Sequence, residues 1–244
     1  MKEIFVNDNI PKKIIPSFVK EVIAEIRFDS NEPIEVIYGT IYKALKKEYP
    51  LKIDLPILQI PDNIRKQDLK LLNQPWYIIH NDDIKIQIGP KTISIANQSK
   101  YSGWDNFFDN CNKFFNELEK LKLELQINRF GLRFINVFNY DIYDKSTLEL
   151  ILNSNKFKSD LTYVRTKINI DDYNLLIQIT NDALFNNDGE IKKVSIIDID
   201  TSCININNFF EHKVNIIGEA HVNSKKLFFN LLKEDFINTL KPEY

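Results

Sequence analysis

The residues of this 244-residue chain best suited to chemistry are arginines and aspartates on candidate strands. Arg129-Phe130-Gly131-Leu132-Arg133-Phe134-Ile135-Asn136 lies just past the middle. Read as a β-strand, it sends successive side chains to opposite faces. Phe130, Leu132, Phe134 and Phe138 then share a core face, and Arg129, Gly131 and Arg133 share the other. The two guanidinium groups lie about 13 Å apart at roughly 3.3 Å per residue. The bare Gly131 between them would let a ligand or backbone approach closely. Arg27 holds the same place in Ile26-Arg27-Phe28, opposite the apolar face of an earlier strand. Arginine's planar fork suits bidentate recognition of carboxylate or phosphate. The competing reading pairs each arginine with an acidic neighbour such as Glu25, or leaves it on a solvated face.

Asp198-Ile199-Asp200 is the second candidate. Alternation turns Ile197 and Ile199 inward, so Asp198 and Asp200 share the outer face. Two such carboxylates can hold Mg²⁺ or Mn²⁺. They can equally pair with Arg129 and Arg133 on a neighbouring strand, and with no third ligand at obvious spacing, pairing is the stronger reading. His80, His212 and His221 stand in no zinc spacing. His221 follows Gly218-Glu219-Ala220 near the expected start of the last helix. There it could cap the helix, pair with an acid or act as a base. Cys111 and Cys203 are far apart and read as free thiols of a reducing compartment.

No Walker A, GxGxxG, GxSxG or kinase motif occurs, and six glycines leave little for a phosphate-cradling loop. A net charge of −2 gives no global basic field, so a nucleic-acid partner is not expected. Hydrophobic residues at 43% and charged residues at 27% are ordinary for a soluble globular protein. No run reads as a signal peptide or a membrane span, which points to a cytoplasmic protein.

The elements that must position these residues come in a repeated order. Residues 1–16 read as an extended lead-in with Pro11 and Pro16. A strand ends at Phe28, and a helix follows over Ile34–Tyr49 with apolar residues at helical spacing. Residues 51–75 read as a long connection with a short helix at 62–72. Strands follow at Trp76–Asn81, Ile84–Ile88 and Thr92–Asn97, and then a helix with an aromatic stripe over Trp104–Lys122. The second half restarts with a strand over Leu123–Phe138. A short helix is expected at Ser146–Asn153, with strands at Tyr163–Ile170, Asn174–Asn181 and Val194–Ile204. Asp171-Asp172 and Asn186-Asn187-Asp188-Gly189 supply turns. Two helices, Asn207–Gly218 and His221–Lys241, close the chain.

Strand, helix, three strands and helix thus occur twice, over 17–122 and 123–244, and Leu132-Arg133-Phe134 echoes Ile26-Arg27-Phe28. The expected fold class is α+β: two pseudo-repeats forming antiparallel sheet, with helices on one side, as one continuous unit. Such a sheet has edges, which a second copy could cap as a homodimer.

Glu25-Ile26-Arg27-Phe28, Tyr101-Ser102-Gly103-Trp104, Arg129–Asn136, Asp198-Ile199-Asp200 and the late His221 together resemble a sporadically distributed prokaryotic family of unknown function. The resemblance covers most of the chain and transfers no catalytic assignment. The family's scattered distribution is similar to that of genes in mobile or defence islands, which implies an accessory role.

The leading expectation is a non-enzymatic protein that needs no cofactor. Arg27, Arg129, Gly131, Arg133 and His221 are its candidate ligand-binding residues, and its partner is an acidic protein or a small anionic ligand. The alternative is a hydrolase of a phosphate-containing substrate, with metal held by Asp198 and Asp200. A third is a nucleic-acid-binding saddle.

Overall fold

The computed structural model describes residues 5, 9–156, 161–187, 190–204 and 206–244. The chain is an α+β protein. Its strands are β1 (Val19–Asp29), β2 (Leu51–Asp54), β3 (Tyr77–His80), β4 (Ile84–Ile88), β5 (Thr92–Asn97), β6 (Gln126–Phe138), β7 (Ile151–Leu152), β8 (Asn155–Lys156), β9 (Tyr163–Ile170), β10 (Tyr173–Asn187) and β11 (Glu190–Ile204). The helices are α1 (Ile34–Leu45), α2 (Asp62–Arg65), α3 (Leu69–Leu72), α4 (Trp104–Lys120), α5 (Phe209–Asn230) and α6 (Glu234–Thr239). Among the described residues nine strands join in the order β2-β3-β4-β5-β1-β6-β11-β10-β9, and β7 and β8 form a separate hairpin. The doubled plan survives in part in this sequence of neighbours, without an α-helix directly after β6 and with β2 added to the first half. In the first half β5 returns beside β1, and in the second β11 returns beside β6.

By contact density the chain forms two compact units that cut across the halves. One comprises residues 21–132 and 202–219, the other 1–20, 133–201 and 220–244. In the first unit Val22, Ala24, Ile26 and Phe28 of β1 face one way and are buried. Ile34, Ile37, Ile41 and Leu45 of α1 are buried at helical spacing, as are Phe107, Cys111, Phe114, Phe115 and Leu118 of α4. That apolar burial is the main stabilisation of such a unit, at roughly 25 cal/mol per Å² removed from water. In the second unit Leu175, Ile177 and Ile179 of β10 and Ile197 and Ile199 of β11 fill the core. Thr201 and Ser224 share a buried hydrogen bond of 2.7 Å, which places α5 on this face. The lead-in is tied down where described: Ile15 N donates to Leu240 O at 2.8 Å, and Glu243 N to Lys13 O at 2.9 Å.

Several expectations are corrected. Residues 51–75 hold a strand, β2, as well as short helices. All four β2 side chains are exposed, so no alternation marks them, and backbone pairing with β3 makes the strand. The helix expected at Ser146–Asn153 is absent. Tyr143–Lys145 form a 3₁₀ turn, and Asn153 and Ser154, both at positive φ, turn the β7–β8 hairpin. Ile151 and Leu152 are exposed, so a helix there would have no buried face. The closing helices also differ. α5 runs unbroken through Gly218, and the break falls at residues 231–233. His221 therefore sits mid-helix. β10 and β11 extend beyond their expected ends and absorb Asn186 and Asn187; the rest of that expected turn, Asp188 and Gly189, lies outside the described residues.

Candidate functional site: a hydrogen-bonded line across the polar face

Alternation along the strands gives each unit a second, polar face. In the unit of residues 21–132 and 202–219, Arg27 and Arg129 converge on one atom. Arg27 Nε donates to Glu25 Oε1 at 2.8 Å, and Arg129 Nη1 donates to the same oxygen at 2.9 Å. Gly131 explains the reach of Arg129. A Cβ there would stand 2.6 Å from Arg129 Nη1. The group that approaches the glycine is thus the guanidinium of Arg129, folded along its own strand. Nearby, Lys85 Nζ reaches Glu21 Oε1 at 2.6 Å and Ser94 Oγ donates to Gln87 Oε1 at 3.1 Å. Ala96 and Ser94 of β5 lie between β4 and β1 in register. Their short side chains let the longer neighbours arch across, and both are buried.

In the other unit the polar face carries a continuous line. Arg133 Nε donates to Asp198 Oδ1 at 2.8 Å, and Arg133 Nη2 to Oδ2 at 2.6 Å. Gln178 Nε2 donates to Asp198 Oδ2 at 3.0 Å, and Tyr163 Oη donates to Gln178 Oε1 at 3.0 Å. Arg133, Asp198, Gln178 and Tyr163 stand on β6, β11, β10 and β9, four successive strands. The Asp198 side chain is 8% exposed and that of Arg133 41%. A nearly buried carboxylate is tolerated because three charge-assisted bonds replace its water. It fixes the guanidinium in one orientation, on a side chain that is still partly open to solvent.

His221 is elsewhere. Its ring lies 6.0 Å from that of Phe134, which alternation puts on the face of β6 opposite Arg133. Burial, with Lys225 nearby, pushes its imidazole pKa down to about 3. The ring is therefore neutral at physiological pH and packs, half-buried, beside Phe134. Asp198 accepts from Arg133 and Gln178, and the described residues contain no cluster of three His, Cys, Asp or Glu residues able to hold a metal. Asp200, next along β11, is half-buried and has polar interactions of its own.

Gln178 and Tyr163 were not visible as site residues in the sequence. Each is an outward polar residue at an alternating position, a signal shared by many solvated strands. Only the strand order and register bring them into line with Asp198. A cavity of about 410 Å³ is lined by Val137, Phe185 and Val194, with Lys20 Nζ 5.3 Å from the Phe185 ring centroid. A second, of about 450 Å³, is lined by Phe18, Tyr140 and Phe236. Neither is lined by Arg133, Asp198, Gln178 or Tyr163.

No helix among the described residues is long and apolar enough to cross a membrane. No protein-family model, curated protein or solved structure matches the chain.

Proposed function

We propose that the chain is a binding protein that holds an acidic protein partner on the polar face of β6, β11, β10 and β9. The observation that carries this reading is Arg133, whose guanidinium is pinned by the nearly buried Asp198 while its side chain as a whole remains 41% exposed. A cation held in a fixed orientation loses little side-chain entropy when it meets an anion. The line lies on an open sheet face and lines neither cavity, and small ligands favour concave sites. An extended acidic surface suits that shape better.

Poly-L-glutamate and inorganic phosphate are suitable probes for isothermal titration at low salt. Poly-L-glutamate binds the intact chain, and binding weakens as salt screens it. Arg133→Lys keeps a positive charge beside Asp198 but cannot reproduce the two-pronged contact, and it lowers affinity about tenfold, roughly the 1.4 kcal/mol of one good contact. Equal binding by the wild type and Arg133→Lys, or no heat from either probe at millimolar concentration, would overturn the reading.

A further inference from the structure

Among the described residues β9 is the last strand of its sheet, eight residues long and free of proline. It pairs with β10 along its whole length, from Tyr173 opposite Ile170 to Thr180 opposite Tyr163. The connecting loop is two residues, Asp171-Asp172, with Asp171 at φ 48°. Across a two-residue loop the flanking pair exchanges both backbone hydrogen bonds, and the exchange recurs at every second residue. Ile170, Ile168, Thr166 and Val164 thus direct their N–H and C=O groups to β10. Asn169, Lys167, Arg165 and Tyr163 direct theirs outward, away from the sheet.

All four are exposed, as is Thr166 between them, and two of the four are cations. Their cross-strand neighbours, Asn174, Leu176, Gln178 and Thr180, include no acid. A second copy of β9 added here would set Arg165 and Lys167 against their like, which opposes pairing. An acidic strand meets the opposite condition.

We infer that the outer edge of β9 accepts an extended acidic peptide segment as a tenth strand. Backbone pairing supplies affinity, and Arg165 and Lys167 select acidic residues at every second position. Tyr163 ends the incoming strand's path and joins it to the line running back to Arg133. The inference rests on the function proposed above and narrows the partner to an extended segment.

The test uses a nine-residue peptide alternating Glu and Val, the same peptide N-methylated at every second amide, and a Lys–Val counterpart. Amide exchange is followed residue by residue on the intact chain. The Glu–Val peptide slows exchange of the Tyr163, Arg165, Lys167 and Asn169 amides at least tenfold and leaves the already protected Val164, Thr166 and Ile168 amides unchanged. N-methylation on the pairing edge weakens binding at least tenfold, and the Lys–Val peptide does not bind. Asn169→Pro, which removes an outward N–H that β10 does not use, weakens the Glu–Val peptide without altering poly-L-glutamate binding through Arg133. If the peptide binds with Arg133 dependence but N-methylation has no effect and the odd-numbered amides stay unprotected, strand addition is overturned while the binding function stands. If neither the peptide nor poly-L-glutamate binds, both fall. Protection of those amides that grows with protein concentration and needs no peptide would assign the edge to a second copy instead.

Discussion

Two single residues were singled out by type and turned out to serve others. Gly131 reads as a gap left for a visitor, but the guanidinium of Arg129 fills it. Adding a methyl group should displace that guanidinium from Glu25, so Gly131→Ala is expected to destabilise the protein by about 1–2 kcal/mol, the scale of a lost charge-assisted bond. In an Arg129→Ala background the same change should be neutral or stabilising, because glycine weakens a strand interior. A urea-denaturation double-mutant cycle checks this, and equal costs in both backgrounds would refute the account. His221 behaves oppositely to a base. Its pKa falls from an ordinary value near 6.5 in the unfolded chain to about 3 in the fold. The unfolded chain therefore binds the extra proton between those values, and the stability gained by neutral burial is complete above about pH 6.5 and is lost as pH falls towards 3. The wild type should lose a few kcal/mol over that window relative to His221→Phe, measured as the difference between their urea-unfolding curves at each pH; parallel curves would place the ring in water.

At the level of elements, strong periodicity was legible and weak periodicity was not. α1, α4, β4 and β6 follow from apolar spacing, because each buries one face. β2 escaped because a strand with every side chain exposed carries no such spacing. Gly218 misled in the other direction. It resembled a helix stop, but a Cβ there would meet nothing within 4 Å, and buried Ile217 and Ala220 hold the helix on both sides of it. Gly218→Ala should then stabilise the protein by about 0.5–1 kcal/mol through helix propensity and a less disordered unfolded chain. Thermal unfolding checks the sign, and destabilisation would restore the break that the sequence suggested.

For the whole molecule, the doubled plan was legible only in part, since no α-helix directly follows β6 and β2 is added to the first half, and the order of strands was not legible. Ile26-Arg27-Phe28 and Leu132-Arg133-Phe134 keep their echo in the fold. Each buries its apolar pair, and the arginines are similarly open, at 39% and 41%. The echo stops at their partners. Arg27 takes Glu25 from its own strand, and Arg133 takes Asp198 from the next. A single sequence gives the alternation of each strand but not its register with others, so the arginines were visible and the line through Gln178 to Tyr163 was not.

That line also has a direction. Tyr163 donates to Gln178, Gln178 donates to Asp198, and Arg133 donates to Asp198 from the other side. Every proton points toward one carboxylate, so dependence runs outward from it. Removing the tyrosine hydroxyl frees only one oxygen of an amide whose other end stays held. Removing the carboxylate takes away the partner that Gln178 and Arg133 share. The nearly buried residue of the four, which touches the solvent least, is therefore the one on which the orientation of the exposed groups depends.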